Sequence, residues 1–109
     1  MYIEIMNSVT FTALAEPNRL RIIELLREKP HSVNEVATKL RLRQPQASKH
    51  LNTLNKAGLL TLNPQAQRHV FALSPDPFLE IEAWLKTFER QWNEKLDRLD
   101  EHLSKLNER

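Results

Sequence analysis

Apolar residues recur every three or four positions along most of the chain, a spacing typical of helices that bury one face. The first helix predicted in this way covers about residues 4–15. The second begins at Pro17, which suits the first position of a helix, and ends before Pro30, which interrupts helical hydrogen bonding. The pattern therefore predicts two consecutive helices before Pro30.

Two shorter helices follow, separated by a tight turn. Ser32, followed three residues later by Glu35, matches the capping box that marks a helix start. A turn at residues 41–43 separates this helix from another that covers about residues 44–57. Gly58 ends the second helix, as glycine commonly does just past a helix C-terminus. The spacing predicts a helix-turn-helix pair.

A β-hairpin and a long final helix complete the pattern. Residues 59–63 and 68–73 contain strand-forming side chains, and Pro64 is expected at the end of the first strand. Asp76 is a suitable N-cap for a helix whose apolar spacing continues to about Leu106. At 1.5 Å per residue this helix is roughly 45 Å long.

Together these elements predict a mainly α fold with a small β-hairpin wing, in the order α-α-α-α-β-β-α. This order is the winged helix-turn-helix arrangement. The length suits one domain over residues 1–109. Within it the helix-turn-helix covers residues 32–57, the wing residues 59–73, and the first and last helices residues 1–15 and 76–106.

The composition excludes several classes of protein. The chain has no cysteine, which excludes disulfides, thiolate metal ligands and thiol redox chemistry. Its longest apolar runs are too short to span a membrane, and its beginning lacks the basic and apolar regions of a secretory signal. We therefore expect a cytoplasmic protein with no membrane partner and no cofactor.

The distribution of charge is more informative than the net charge of +2. Residues 36–73 contain six basic residues and no Asp or Glu, whereas acids outnumber bases in residues 74–109. A local positive field of this kind is typical of a surface that binds a polyanion. A solvated basic face would give the same pattern, so charge alone leaves both interpretations open.

The second helix of the pair carries the best candidates for reading DNA. When Ala47, Leu51 and Leu54 are placed inward on a helical wheel, its outward positions hold amides, a hydroxyl and cations but no acid. These side chains can hydrogen-bond base edges in the major groove, although an ordinary polar helix face is the alternative. The outward residues are Gln44, Gln46, Lys49, Asn52, Thr53 and Lys56.

Three arginines lie at the margins of this helix and are candidates for phosphate contacts. Arg41 and Arg43 occupy the turn, where they would position the protein on the backbone without reading sequence. Arg68 lies where the hairpin returns, within reach of backbone phosphate or the minor groove. An isolated surface arginine is an equally good interpretation of Arg68.

At these positions the chain resembles the ArsR-type transcriptional repressors. The resemblance rests on the segments LAEPNRLRII at 14–23, QPQASKHL at 44–51, AGLL at 57–60 and FAL at 71–73. It implies a bacterial or archaeal homodimer bound to an imperfect inverted repeat, with the first and last helices forming the dimer interface. It also adds Ser48 and His50 to the expected DNA-binding residues, His50 in a packing or phosphate role.

The chain departs from the family pattern at three positions. The family often has glycine where Arg41 stands, so a left-handed turn there would be strained. It often has a serine cap where Arg43 stands, and glycine at the wing tip where Gln67 aligns. These departures concern individual DNA contacts and leave the expected fold unchanged.

Metal sensing, a familiar activity of the family, is not expected. A transition-metal site needs three or four converging ligands. The last helix has Asp97, Asp100, Glu101 and His102, but not at the spacing of the family's carboxylate and histidine site. The aromatic-rich form of this helix resembles the metal-independent branch of the family.

The last helix carries an apolar stripe that is too long for one small domain to cover. A second subunit would cover it, together with Phe11 of the first helix. The predicted interface residues of the last helix are Ile81, Leu85, Phe88, Trp92, Leu96, Leu99 and Leu103, and Leu106 continues the stripe.

Two other classes of function, an enzyme and a winged helix with a different partner, are alternatives to a duplex-DNA regulator. Ser48 and His50 lie two positions apart on a helix and do not face each other, so they form no nucleophile–base pair, and an enzyme is not expected. A winged helix that binds RNA or another protein is the alternative. Proteins that bind single-stranded RNA usually have aromatic side chains among their basic residues, whereas residues 36–73 contain only one aromatic residue, Phe71. The sequence indicates no particular operator or inducer.

Overall fold

The computed structural model describes residues 2–65 and 68–107, with side chains from residue 8 onward except at position 65. Within these ranges the chain forms five helices and three short strands. They are α1 (Tyr2–Leu14), α2 (Pro17–Glu28), β1 (His31–Ser32), α3 (Val33–Leu40), α4 (Gln44–Lys56), β2 (Leu60–Gln65), β3 (Arg68–Leu73) and α5 (Pro75–Asn107). This confirms the predicted mainly α fold with a small β wing.

Side chains at the helix ends explain where α2 and α3 begin. The Glu16 carboxylate accepts a hydrogen bond from the Arg19 backbone N–H at 2.9 Å, which caps α2. The predicted capping box is confirmed, because Ser32 Oγ accepts the Glu35 backbone N–H and Glu35 Oε1 accepts the Ser32 backbone N–H. These caps satisfy backbone donors that have no partner within the helix.

Two left-handed residues end the helices of the pair. Gly58 follows α4 with φ of 82°, a backbone conformation that favours glycine. Arg41 ends α3 with φ of 58° and ψ of 43°, and its backbone N–H donates to the Ala37 and Thr38 carbonyls. The expected strain at Arg41 is therefore confirmed, since a Cβ atom is disfavoured in this region.

Removing the Cβ atom at position 41 should stabilise the fold. We expect the Arg41→Gly variant to be more stable than Arg41→Ala by about 1 kcal/mol, because only alanine keeps the left-handed penalty. Both variants lose the same charge, so their difference isolates the backbone. Urea unfolding at one fixed protein concentration would measure it, and equal stabilities would show that Arg41 carries no strain.

The three strands form one antiparallel sheet in the order β1-β3-β2. The predicted hairpin is present, with Leu62 opposite Phe71, but β2 runs on to Gln65 and includes Pro64, which was expected at the strand end. Strand β1 was not predicted. It places Ser32 opposite Val70 and so joins the start of α3 to the wing. The wing tip, including Gln67, lies outside the described residues.

The core lies between the helix-turn-helix pair, α2 and the base of the sheet. Twelve buried apolar residues among the described side chains form it, and Leu14, Leu25, Leu73 and Phe78 are among the half-buried residues packed against them. The buried set is Ala13, Ile22, Ile23, Leu26, Val36, Ala37, Ala47, Leu51, Leu54, Leu59, Leu60 and Phe71. This core fixes α4 against α2 and α3.

The chain divides into two units, one ending at Phe78 and one running from Leu79. Most of α5 belongs to the second unit, and α5 contains no buried residue among those that the structure describes. No helix in the described ranges is long and apolar enough to cross a membrane.

Candidate nucleic-acid interface

The buried side of α4 determines which side faces outward. Ala47, Leu51 and Leu54 are each 0% exposed and anchor the helix in the core. The helical-wheel prediction that these three residues face inward is therefore confirmed. Because residues on one helix face recur every three or four positions, the side chains on the opposite face project away from the core.

Several of the outward side chains line one shallow groove along α4, which does not include Gln44 or Gln46, and five of the residues that line it were predicted to contact DNA. Thr53 Oγ1 donates to the Lys49 carbonyl at 3.1 Å, so its hydroxyl proton already has an acceptor. Among the side chains that the structure describes, no acid lines this groove. Its lining residues are Pro45, Ser48, Lys49, Asn52, Thr53 and Lys56.

The N-terminal end of α4 is exposed and basic. Arg43 occupies the N-cap position with extended backbone, and no side chain in the described part of the chain caps the first turn. The helix N-terminus therefore keeps free N–H groups and a positive potential, both of which favour a phosphate. Gln44, Gln46 and Arg41 are also exposed at this end of the pair.

Arg68 is held in an ion pair at the base of the wing. Its guanidinium donates to Glu35 Oε1, and a longer hydrogen bond of 3.4 Å reaches Ser32 Oγ. The two charged side chains remain 61% and 38% exposed. Arg68 is thus paired rather than isolated, a contact that the sequence analysis did not foresee.

Hydrogen bonding also acts on the ionisation of Glu35. The Ser32 backbone N–H and the Ser32 hydroxyl, and then the positive charge of Arg68, hold the pKa of the Glu35 carboxyl below 4.5. Because this pKa is lowered on folding, the stability that the ionised carboxylate contributes is present above about pH 4.5 and is lost as the pH falls below it. Glu35 is therefore negatively charged at neutral pH.

His50 lies apart from the outward groove. Its side chain is 13% exposed, and Nδ1 lies 3.8 Å from Glu16 Oε2 without forming a hydrogen bond. This position beside the core agrees with the packing role expected of His50. A phosphate contact would require this half-buried ring to turn away from Glu16.

A second surface lies along α5. Its apolar stripe is exposed along most of its length, with Leu85 at 53% and Trp92 at 65%. Phe88 packs edge-to-face on Trp84, with ring centroids 5.0 Å apart. Phe11 of α1 is 38% exposed and Ile81 is half-buried. The further exposed members of the stripe are Leu96, Leu99, Leu103 and Leu106.

Within the described ranges, no three His, Asp or Glu side chains converge in a way that could hold a metal ion. His102 and the acids that precede it on α5 are among the side chains that do not converge in this way.

Comparison with known proteins adds relatives across most of the chain. A family model described as a helix-turn-helix domain matches residues 14–63. The HTH-type transcriptional regulator Rv2034 of Mycobacterium tuberculosis is 34% identical over 76 residues, which cover 70% of this chain and 71% of that protein. The transcriptional activator HlyU of Vibrio cholerae is 32% identical over 82 residues, which cover 75% of this chain and 73% of that protein. The transcriptional repressor SdpR of Bacillus subtilis is 26% identical over 83 residues, which cover 76% of this chain and 91% of that protein.

Solved structures share the fold. The ArsR family transcriptional regulator RHA00566 superposes with a TM-score of 0.72 at 28% identity, covering 83% of this chain and 93% of that one. A winged helix-turn-helix domain of Mb0332 from Mycobacterium bovis, described as homodimeric, superposes with a TM-score of 0.67. Its identity is 23%, and the match covers 81% of this chain and 83% of that domain. At that identity the likeness concerns the fold.

A helix-turn-helix pair followed by a β wing, with an acid-free outward helix, defines a winged helix-turn-helix DNA-binding regulator of transcription. The chain is 34% and 32% identical to two curated transcriptional regulators, over 71% and 73% of their lengths. These identities are high enough to define its family. It belongs to the ArsR family of transcription regulators, which act by binding DNA and not as enzymes.

Proposed function

We propose that this protein is a homodimeric repressor that binds an imperfect inverted repeat in duplex DNA without sensing a metal. In this proposal α4 enters the major groove, and the wing and the turn before α4 contact the flanking backbone. The domain is a single winged helix unit in which α1 and α5 join the two subunits. The observation that carries the proposal is the acid-free groove along α4, backed by three fully buried residues.

The side chains proposed to contact DNA fall into two groups by chemistry and position. Amides can make paired hydrogen bonds to a base, which suits Gln44, Gln46 and Asn52 for reading sequence. Lys49 can reach guanine or phosphate, and Ser48 and Thr53 line the same groove. The cations at the margins fix the protein on the backbone instead. This second group comprises Arg41, Arg43, Lys56 and Arg68, whereas His50 packs beside Glu16.

The exposed stripe of α5 supports a dimer. Contiguous apolar surface of this length is rare on a monomer and marks an interaction site. A second copy of the same chain supplies an identical stripe, and such self-complementary contacts are the rule in two-fold dimers. The homodimeric description of the Mycobacterium bovis domain agrees with this arrangement. Two subunits related by a two-fold axis would in turn favour an inverted repeat.

Repression and metal independence rest on narrower support. The relatives include both an activator and a repressor, and repression is the direction that the family resemblance favours. Metal independence is supported by the absence of cysteine from the sequence and by the spacing of the acids around His102.

A specificity assay tests the assignment of α4 and the wing. Gln46→Ala and Asn52→Ala should each relax preference at particular base pairs and cost about 1–3 kcal/mol at the preferred base. Arg68→Ala should weaken all sequences alike. The measurement is competition against a library of variants of a duplex selected by the unmodified protein.

Asn107→Ala, which removes an exposed amide at the end of α5, is the matched control and should change nothing. Adding zinc or a chelator to the unmodified protein should also leave its affinity unchanged. If Arg68→Ala alters base preference while both α4 variants act uniformly, the groove and backbone roles are assigned to the wrong elements. A tenfold shift with zinc would contradict metal independence.

A further inference from the structure

The ion pair between Glu35 and Arg68 lies at the edge of the proposed DNA surface. Both side chains line a groove that also includes Gln44, the first residue of α4. Strand pairing brings them together, because Ser32 in β1 lies opposite Val70 in β3. The wing cation therefore lies beside an acid at the point where a DNA backbone would pass between α4 and the wing.

Glu35 is an exception to the charge pattern of this surface. It stands immediately before residues 36–73, which contain no acid, and it is ionised at neutral pH. Its Oε1 atom accepts from both the Ser32 backbone N–H and the Arg68 guanidinium. The pair carries no net charge, so in this arrangement Arg68 contributes little to the positive field that attracts DNA.

A phosphate and a carboxylate compete for the same guanidinium. Both offer two oxygen acceptors that match the planar fork of arginine. An ion pair that is as exposed as this one is weakly held in water. A DNA backbone carries a much denser negative charge than a single carboxylate. The competition therefore favours transfer of Arg68 to phosphate once DNA is bound.

We infer that Glu35 is a positioning residue that holds Arg68 on the wing base in the free protein and releases it to a backbone phosphate in the complex. The exchange lowers affinity for DNA in general, since Arg68 must leave one partner to reach the other. This inference rests on the proposed function, because it requires the wing to approach DNA.

The Glu35→Gln variant tests the inference with little cost to the fold. Glutamine can keep the capping box, because its amide oxygen still accepts the Ser32 backbone N–H. Without the carboxylate, affinity for the duplex selected by the unmodified protein should rise roughly fivefold at about 100 mM salt. The slope of log affinity against log salt should steepen by up to about 0.9 per subunit.

Two further variants test whether the affinity gain of Glu35→Gln depends on Arg68 or only on the loss of one negative charge. Glu24→Gln removes the same charge from an exposed acid on α2 that is paired with Arg27, and it should have a much smaller effect. In the Arg68→Ala background, Glu35→Gln should lose most of its gain. The inference would be overturned if the affinity gain of Glu35→Gln persisted without Arg68, or if it equalled the effect of Glu24→Gln. A loss of affinity in a Glu35→Gln variant that melts normally would also overturn it.

The side-chain NMR signal of Arg68 provides a test without mutation. Its Nε–H resonance should shift when the selected duplex is added, because the guanidinium changes partner. An unchanged resonance at saturating DNA would overturn the inference and the phosphate contact assigned to Arg68, but not the binding of duplex DNA by α4. If the unmodified protein shows no affinity for duplex DNA, the proposed function itself fails.

Discussion

Replacing Leu85 and Trp92 by glutamate should abolish the dimer and give a monomer or an aggregate. Both side chains lie on the exposed stripe of α5, where we place the subunit contact. Each substitution would bury an unpaired carboxylate in that contact, a cost that an apolar interface cannot offset. DNA binding should fall with the dimer, because one subunit can contact only half of an inverted repeat.

Sedimentation velocity at micromolar concentration measures this effect. The control is the pair Ala83→Glu and Ser104→Glu, which adds the same two charges at exposed positions away from the stripe and should leave the dimer intact. A folded monomer for the unmodified protein under these conditions would contradict the proposed interface.

Raising the salt concentration should weaken DNA binding by several orders of magnitude. Each subunit presents five candidate phosphate-binding cations, namely Arg41, Arg43, Lys49, Lys56 and Arg68. A dimer could therefore neutralise up to about ten phosphates, with a slope of log affinity against log salt near −9. Even about six contacts would reduce affinity roughly a thousandfold between about 50 and about 200 mM salt. Fluorescence anisotropy titrations over this range would measure the slope.

Substitution of single lysines identifies which cations release counterions when DNA binds. Lys56→Gln should make the slope shallower by about 0.9 for each subunit, because it removes one phosphate contact. Lys105→Gln removes the same charge from the exposed end of α5 and should leave the slope unchanged. A flat salt dependence for the unmodified protein would rule out the basic surface of α4 and the wing as the binding site.

Local patterns predicted most of the fold because they act over a few residues. The capping box at Ser32 and the glycine after α4 each depend on contacts within about one turn of helix, and the inward residues of α4 follow from helical periodicity. The exposed stripe of α5 follows from periodicity in the same way. In contrast, β1 is two residues long, too short to show any alternation.

The contacts that the sequence did not reveal join distant parts of the chain. Glu35 and Arg68 are separated by 33 residues and meet only because β1 pairs with β3. His50 lies beside Glu16 because α4 packs against the start of α2. No local pattern specifies which acid a given cation will find, so Arg68 could be recognised as a candidate contact but not as one that already has a partner.

The hydrogen bond from Thr53 to the Lys49 carbonyl limits what this side chain can recognise. With its proton committed to the helix, the hydroxyl oxygen can offer only lone pairs to a base. In the major groove these suit the amino groups of adenine and cytosine, whereas the carbonyl oxygens of guanine and thymine would find no donor. A threonine that keeps this bond in the complex therefore discriminates by the direction of hydrogen bonding.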